Sequence, residues 1–414
     1  MNCVKILWIA SSVPCKEISH AGGKTFRFYF DKFKENPEFD IRLIGFSDQL
    51  ERRIIENRLH DVNHFVIYKD KFNLKKLCNL ASTNNPFHKY AGMISNYYAF
   101  KTLEYVKTYK YQGYEPDVII LEWTNIVLLI DEIKKIYPNA YYIASEHDVS
   151  FIGAERQAQF YTGFKKLLKV IGYKTLKRRE IESLRKCDLI LPHNKDNIEL
   201  LQKEGISREK CQWLIPFYYD MRSVERKSNN RDILFYGAMS RKENYLSAEW
   251  FINHVMPLLN EQDIRFVILG GNPPEFLKKM ECDRIHVTGF VEDIESYFSN
   301  AMCLVAPLVL GAGIKVKILE ALSAGIPVLT NNIGIEGIPA INGNEYIHCE
   351  TPEEYKNAII DIKQRNIDLS ILEKNARNFV DRYSPDKSAD IYIKRVRTIG
   401  ESLYGTPTRH TEYR

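Results

Sequence analysis

The chain has 414 residues, too many for one ordinary hydrophobic core, so two domains of roughly 200 residues each are expected. Hydrophobic residues make up 45% and charged residues 27%, a globular composition that excludes a disordered chain. The net charge of +5 is too small to indicate a nucleic-acid-binding protein. The eight cysteines include no Cys-x-x-Cys pair and no metal-ligand spacing with histidine, so we expect reduced thiols and no metal site.

The first predicted element is a buried strand at 5–10. Lys5 interrupts the N-terminal apolar run, which is also too short for a signal peptide. The longest apolar candidate elsewhere, 118–130, contains Glu122 and Asn125 and falls short of the ~20 residues that span a bilayer. We therefore expect a cytoplasmic protein whose closest approach to a membrane is peripheral contact with its inner face.

Short β-branched runs alternate with longer helical patterns through most of the chain. The runs are apolar throughout, without period-two alternation, which is typical of parallel strands covered by helices on both faces. The alternation predicts βαβ units and an α/β fold class, with two doubly wound Rossmann-like domains in tandem. The predicted strands are 5–10, 40–45, 64–68, 117–121, 140–145, 188–191 and 211–215, followed by 232–236, 265–269, 284–288, 303–306 and 327–330.

Three places in the N-terminal half follow predicted strands at the edge where open α/β sheets bind ligands. Gly22 and Gly23 open the first predicted helix and have N–H groups that suit an anion, although a simple helix-start loop explains them equally. Glu122 is either a ligand contact or a solvated loop carboxylate. A lone histidine is usually structural, but the strand-end position of His147 favours a functional role. His193 is interpreted as structural.

A basic segment from Lys165 to Lys186 contains nine Lys or Arg residues interleaved with leucine and isoleucine. A basic amphipathic helix of this kind can lie on anionic lipid. The alternative interpretation is an ordinary solvated helix face, and the sequence does not separate the two.

The boundary between the predicted domains lies between Pro216 and Arg231, where 225–230 is polar and has the composition of a linker. This division gives an N-terminal domain at 1–216 and a C-terminal domain at 217–384. After Tyr355 the pattern is helical to about Leu403.

The most informative segment runs from Pro307 to Val328. A buried strand ends at Pro307, a loop of small residues follows, and a helix is predicted from near Gly313 to Gly325. Gly311 and Gly313 allow the backbone to approach a ligand closely, and the helix N-terminus suits a phosphate.

Lys317 and Glu320 are three residues apart and so share one face of that helix. A cation beside the loop can neutralise a diphosphate, and a carboxylate one turn further along can accept hydrogen bonds from ribose hydroxyls. The alternative is a surface Lys–Glu pair on an ordinary αβ unit, because glycine-rich βα loops are common.

The segment from Pro307 to Val328 resembles the donor-binding signature of retaining glycosyltransferases of the GT-B fold, the group 1 class also called glycosyltransferase family 4. Three further segments resemble motifs of the same family in the same order: Phe235-Tyr236-Gly237-Ala238-Met239, Thr288-Gly289-Phe290-Val291-Glu292-Asp293 and Asn331-Asn332-Ile333-Gly334-Ile335-Glu336-Gly337. The resemblance implies two domains facing across a cleft. The first, 1–216, would bind the acceptor and be joined by a helix at about 385–404, and 217–384 would bind a nucleotide-sugar donor.

The resemblance also implies residue roles. Glu320 would bind the donor ribose, Lys317 is our choice for the diphosphate cation, and the backbone at Val291 would meet the base. His147 would lie beside the reacting sugar, and Glu122 would contact the acceptor. The other donor-binding positions implied are Gly22, Gly23, Gly237, Arg241, Lys242, Gly311, Ala312, Gly313, Ile314 and Lys315.

The chain departs from the family pattern at two places. Many members have a glutamate that touches the donor sugar where this chain has Ala312. Many also have Arg and Lys just after the domain-opening glycine, at the places of Ala238 and Glu243, although Arg241 and Lys242 stand between them.

The resemblance thus implies a retaining glycosyltransferase that moves a hexose from a nucleotide-diphosphate sugar to a saccharide or lipid-linked saccharide, in cell-surface polysaccharide synthesis. Neither a cofactor nor a nucleic-acid partner is expected. The alternatives are a nucleotide-sugar epimerase of the same fold and a non-catalytic donor-binding partner protein. A dinucleotide oxidoreductase is disfavoured because no Gly-x-Gly-x-x-Gly follows the first strand.

Overall fold

The computed structural model describes residues 3–16, 20–48, 52–69, 85, 88–227, 231–311 and 313–403. The contacts divide the chain into two compact units. The first unit comprises Met1–Phe217 with Pro385–Arg414, and the second comprises Tyr218–Ser384.

The first unit contains a six-stranded parallel sheet in the order β3-β2-β1-β4-β5-β6. Its strands are β1 Val4–Ala10, β2 Phe39–Asp48, β3 Asn63–Lys69, β4 Val118–Glu122, β5 Tyr141–Glu146 and β6 Leu189–Pro192. Its helices are α1 Ala21–Lys34, α2 Arg52–Arg58, α3 Asn96–Tyr111, α4 Thr124–Val127, α5 Ile130–Ile136, α6 Ser150–Gln159, α7 Gly163–Leu184, α8 Asp196–Lys203 and α16 Pro385–Leu403.

Helices cover both faces of this sheet, which is why its central strands are apolar throughout. On one face Trp8 packs against the rings of Phe26, Phe30 and Phe33 of α1, at centroid distances of 5.4–5.6 Å. Helix α16 completes this face, and it lies so close to β1 that a Cβ at Gly400 would be 2.3 Å from Val4 Cγ2. The other face packs against a second buried cluster drawn from α3 to α8.

The strand predicted at 211–215 is wrong. Cys211 makes one isolated bridge with Ile190 beside β6, and regular pairing does not continue. The Ile215 N–H donates to Ser388 Oγ in α16 (3.0 Å), so the backbone is used to hold the C-terminal helix rather than to extend the sheet.

The second unit contains another six-stranded parallel sheet, in the order β12-β11-β10-β7-β8-β9. Its strands are β7 Asp232–Tyr236, β8 Arg265–Leu269, β9 Ile285–Gly289, β10 Cys303–Ala306, β11 Val328–Thr330 and β12 Ile347–His348. Its helices are α9 Lys242–His254, α10 Glu275–Lys278, α11 Glu295–Asn300, α12 Val316–Ser323, α13 Asn332–Ile335, α14 Pro352–Gln364 and α15 Leu369–Arg382.

Counted within each unit, both sheets have the strand order 3-2-1-4-5-6, so the prediction of two doubly wound domains is confirmed. The order reverses between β1 and β4 in the first unit and between β7 and β10 in the second. Ligands of open α/β sheets bind beyond the carboxyl ends of strands at such reversals. The two reversal points are therefore the places to examine for function.

Within the described residues, no helix is long and apolar enough to cross a membrane. The seven cysteines in that part of the chain are all free thiols.

Candidate active site

The loop after β10 in the second unit is shaped by two glycines. Gly311 has φ 132° and Gly313 has φ 74°, conformations that side chains other than glycine rarely adopt. The left-handed conformation of Gly313 cannot belong to a right-handed helix, so α12 begins at Val316 rather than near Gly313 as the sequence predicted. Ala312 lies outside the described residues.

Lys317 lies in the first turn of α12, beside this loop. Its Nζ donates to Asn244 Oδ1 (2.8 Å) and sits 4.5 Å from the ring centroid of Phe235. Burial lowers the pKa of Lys317 to about 7, and the positive charges of Lys315 and Arg241 add to this effect. A bound anion would offset all three causes, so this position favours a negatively charged ligand.

Asn244 joins the two elements that flank the site, and no motif in the sequence singled it out. Its Nδ2 donates to Ala238 O (2.9 Å) in the turn after β7, while its Oδ1 accepts from Lys317. A Cβ at Gly237 would lie 2.8 Å from Asn244 Nδ2, so the glycine is needed for this contact. The only sequence feature that pointed to Asn244 was its position, as a short polar residue in the first turn of the helix that follows Gly237.

Glu320 is 1% exposed and points toward the carboxyl end of β7. Its Oε1 accepts from the Tyr219 N–H (3.4 Å), and its Oε2 accepts from the Tyr236 hydroxyl. A buried carboxylate at a sheet reversal point, held by a strand-end tyrosine, is suited to accept hydrogen bonds from a ligand's hydroxyls. The sequence placed Glu320 on this face of α12 but did not single out Tyr236.

Arg241 and Lys242 occupy a more exposed position. Arg241 forms a salt bridge with Glu243, whose carboxylate opposes the lowering of the Lys317 pKa. Lys242 is the first residue of α9 and is exposed. The charge on Arg241 reaches the site electrostatically, and Glu243 weakens that positive field.

The turn after β11 contacts the chain that leads from β10 into the glycine loop. Asn331 Nδ2 donates to Leu308 O (2.8 Å), and a Cβ at Gly334 would lie 1.8 Å from Thr330 Oγ1, so only glycine fits there. On the loop itself, Lys315 Nζ donates to Gly313 O and lies 3.9 Å from Glu336 Oε2.

The remaining predicted donor positions lie at the edges of this site. Ile314 is partly buried in the loop before α12. Val291 is also partly buried and follows Phe290, whose ring is exposed. Gly289 ends β9 with φ 70°, which turns the chain at the edge where the base was predicted to bind.

In the first unit, the reversal point holds a buried carboxylate. Glu122 is 2% exposed, and it accepts hydrogen bonds from Trp8 Nε1 (2.8 Å), Ser145 Oγ (2.7 Å) and His147 Nε2 (2.6 Å). Burial raises the pKa of Glu122 to about 6, although its hydrogen bonds and His193 act in the opposite direction. With three donors from its own unit, Glu122 fits a role in positioning His147 better than one in direct contact with a ligand.

His147 is fixed on every side. Its ring stacks on Trp123 at 4.4 Å with an angle of 11°, and His193 lies 4.2 Å away. Burial lowers the pKa of His147 to about 3, so the ring is neutral near pH 7. Because Nε2–H donates to Glu122, we assign the neutral Nε2–H tautomer, in which Nδ1 is a hydrogen-bond acceptor.

That Nδ1 atom lies beside the N-terminus of α1. A Cβ at Gly22 would be 3.2 Å from His147 Nδ1 and 3.3 Å from Trp123 Nε1, so the glycine keeps this place open. The Gly23 N–H donates to His20 Nδ1 (2.9 Å) and thereby caps the helix. Trp123 itself has φ 73°, a strained conformation for a non-glycine residue of the sort that clusters at functional sites.

His193, interpreted as structural from the sequence, belongs to this cluster. It follows β6 directly, its Nε2 lies 3.4 Å from Ser145 Oγ, and it is buried. Glu122, His147 and His193 offer three ligand-type atoms within 4.8 Å of one another. The sequence signal for His193 was its position directly after a predicted strand. Because β4, β5 and β6 are neighbours in the sheet, residues at their carboxyl ends lie close together.

Comparisons with known proteins agree with this architecture. Residues 230–365 match the family model of group 1 glycosyl transferases, a region that contains the glycine loop, Lys317 and Glu320 of the second unit's site. The chain has the GT-B fold, and its residues 230–365 are similar to group 1 glycosyl transferases. The family match supports glycosyl transfer as the general class of activity.

An uncharacterised 44.6 kDa protein from the cps region of Klebsiella pneumoniae is 22% identical to this chain over 200 residues. The match covers 45% of this chain and 52% of that relative, so it spans about half the length of the relative.

Three solved structures share the fold over nearly all of both chains. Sucrose-phosphate synthase from Thermosynechococcus elongatus is 14% identical, with a TM-score of 0.69, and the match covers 96% of this chain and 100% of that one. HepE of Anabaena in complex with UDP is 11% identical, with a TM-score of 0.66 and coverages of 95% and 100%. The lipopolysaccharide outer core galactosyltransferase WaaB is 11% identical, with a TM-score of 0.61 and coverages of 94% and 99%.

Proposed function

We propose that this chain is a retaining hexosyltransferase that moves a sugar from a nucleotide-diphosphate donor to a saccharide or lipid-linked saccharide, in cell-surface polysaccharide synthesis. The observation that carries the proposal is the arrangement of Lys317 and Glu320 on α12. Both lie beside the glycine loop at the reversal point of the second sheet. One offers a cation for a diphosphate, and the other offers a buried acceptor for ribose hydroxyls.

The donor class is supported by the relatives. HepE has been crystallised with UDP and with UDP-glucose, and WaaB is named as a galactosyltransferase. The relative from a cps region supports a role in surface polysaccharide synthesis. We carry these properties to this chain as a proposal only, with UDP-hexoses as the first donors to test.

In the proposed reaction, an acceptor hydroxyl attacks the anomeric carbon of the donor sugar on the face that the diphosphate leaves. The bond from that carbon to the phosphate oxygen breaks, a new glycosidic bond forms, and the hydroxyl proton passes to the departing phosphate. Lys317 stabilises the charge that develops on the diphosphate. His147 Nδ1 accepts a hydrogen bond from a sugar hydroxyl and orients it, and no general-base role is assigned to it.

The first experiment is a melting-temperature series with UDP, GDP, ADP and their hexoses. A ligand at 100 times its dissociation constant adds about 2.7 kcal/mol of stability, so binding is readily detected. We expect one nucleotide to stabilise the protein and Glu320→Gln to lose most of that effect, because the amide has one acceptor oxygen in place of two and carries no negative charge. The absence of any shift in a folded sample would favour a non-catalytic partner protein.

The chemistry is tested next with the donor that binds. The product is analysed by NMR with and without a saccharide acceptor, and we expect the anomeric configuration of the donor to be retained. An altered sugar formed from the donor alone would identify an epimerase, and inverted configuration would contradict the retaining mechanism.

A further inference from the structure

Helices α6 and α7 of the first unit pack against each other and are joined by residues 160–162. The C-terminal half of α7 is anchored in the core through Leu176, Ile181 and Leu184. In contrast, residues 163–169 are all exposed, which means that the first two turns of α7 lie in solvent on every side. We call residues 160–169 the hairpin tip.

The hairpin tip carries large apolar side chains that the fold does not cover. Phe160 is 56% exposed, Phe164 72%, Leu167 53% and Leu168 42%. These are four of the fourteen exposed large hydrophobic side chains in the described part of the chain, and they lie within nine residues. Single exposed apolar residues are normal in soluble proteins, but a cluster of this kind marks an interaction surface.

The charges of the tip have one sign. Lys165, Lys166 and Lys169 are exposed among the apolar side chains, and the sequence from Gly163 to Arg179 contains no acidic residue. Lysines at the start of a helix face the positive end of its dipole, which is unfavourable for the helix itself. The tip therefore has two features that are unfavourable for the isolated protein, exposed apolar side chains and lysines at a helix N-terminus. Such features are expected where a segment contacts a partner.

We infer that the hairpin tip docks on an anionic lipid surface. Phenylalanine and leucine enter the boundary between headgroups and acyl chains, and the lysines contact lipid phosphates. A second copy of this chain is a poor occupant, since it would bring the same positive charges together. The inference goes beyond the proposed transfer reaction, and it is compatible with an acceptor anchored in the same membrane.

The test is co-sedimentation of the full-length protein with vesicles of phosphatidylcholine alone or mixed three to one with phosphatidylglycerol. We expect binding to the anionic vesicles to be at least tenfold stronger and to weaken as salt is raised. Each basic residue near such a surface contributes about fivefold. The double variant Lys165→Glu, Lys166→Glu removes two positive charges and adds two negative ones, so it should bind at least roughly 25-fold more weakly. Phe164→Ser with Leu167→Ser should lose at least tenfold.

Two control variants make the same kinds of substitution at exposed positions outside the hairpin tip. Phe100→Ser removes a 63% exposed ring from α3, and Lys278→Glu with Lys279→Glu reverses an exposed lysine pair in the second unit. Both should bind vesicles like the unaltered protein. Every variant should also keep its melting temperature and its stabilisation by nucleotide, so failure of docking is distinguishable from failure of the proposed function.

Equal binding to neutral and anionic vesicles, or unchanged binding by both tip variants, would overturn the inference. A concentration-dependent dimer that the tip variants abolish would assign the surface to a second copy instead. Light scattering of the purified protein without lipid detects that outcome.

Discussion

The two units have the same strand order, yet the carboxyl ends of their central strands carry different kinds of groups. In the second unit the reversal point is built from glycines at close backbone approaches, with one lysine and one glutamate beside them. In the first unit it is built from buried titratable side chains around His147. A phosphate-binding loop is a backbone shape, which short motifs encode. A single oriented histidine depends on side chains from several strands, which no short motif encodes.

The largest expected effect is on the close approaches in the second unit. Gly270 has φ 152°, and a Cβ there would lie 1.7 Å from Gly237 O. We expect Gly270→Ala to destabilise the protein by about 3–5 kcal/mol through overpacking and backbone strain. Gly343→Ala is the matched control, because Gly343 also has positive φ (76°) but no atom within 4 Å, and it should cost only about 1 kcal/mol. Urea unfolding compares the two, and equal losses would contradict the argument.

Next in size is the loss of the cation on α12. Lys317→Met keeps most of the side-chain volume but removes the charge, and a charge-assisted hydrogen bond contributes about 1.5–3 kcal/mol. We therefore expect nucleotide diphosphates to bind roughly 10- to 100-fold more weakly, as measured by calorimetry. Lys242→Met is the control and should change the affinity by less than about threefold, because Lys242 is exposed at the start of α9. A larger effect at Lys242 would move the diphosphate to that end of α9.

Glu122→Gln tests whether the first unit acts by orienting His147. The amide places no negative charge opposite the Nε2–H group of His147, so the tautomer in which Nδ1 accepts a hydrogen bond is less favoured. Turnover should therefore fall at least roughly tenfold. Nucleotide affinity should not change. The pKa of Glu122 is raised to about 6, so turnover by the unaltered enzyme should rise with pH through about 6 as the carboxylate ionises.

The variant should lack that rising limb of the pH profile, which a purely structural role would not remove. Glu146→Gln is the control, because Glu146 is also buried at a strand end but accepts a hydrogen bond from Thr124 Oγ1 (2.8 Å) rather than from His147. If both variants lose the limb, the effect belongs to burial of carboxylates in general.

Sequence reasoning recovered what is local and missed what depends on strand order. Apolar runs predicted both sheets, but they failed at 211–215, where Ser388 takes the backbone N–H, and at β12, which has only two residues. Helical spacing placed Lys317 and Glu320 on one face, and the family resemblance implied their roles. Asn244 and His193 reach their sites because neighbouring elements bring them there, so the only signals in the sequence were their positions, in the first turn of α9 and directly after β6.

A smaller effect is expected from pH on nucleotide binding. The pKa of Lys317 is lowered to about 7 in the free protein, and a bound diphosphate should raise it, so binding takes up a proton. Affinity for a nucleotide sugar, which does not itself titrate in this range, should therefore fall about tenfold between pH 7 and pH 8.5 as Lys317 deprotonates. Lys317→Met should be flat over this range. A flat profile for the unaltered protein would mean that Lys317 stays charged without ligand.

The smallest expected effect concerns metal. Glu122, His147 and His193 could act as ligands, but tetrahedral ligands at 2.0–2.1 Å from zinc lie about 3.3 Å apart, whereas His147 Nε2 and Glu122 Oε1 are joined at 2.6 Å. A separation of 2.6 Å is that of a hydrogen bond. A metal would have to displace the proton on His147 Nε2 and also the hydrogen bond that Ser145 Oγ donates to Glu122 (2.7 Å). We therefore expect chelation with EDTA to leave turnover and melting temperature unchanged and elemental analysis to find less than about 0.1 zinc per chain. Stoichiometric zinc that His193→Gln removes would instead make this cluster a metal centre, and Glu122 would then be a ligand rather than the group that orients His147.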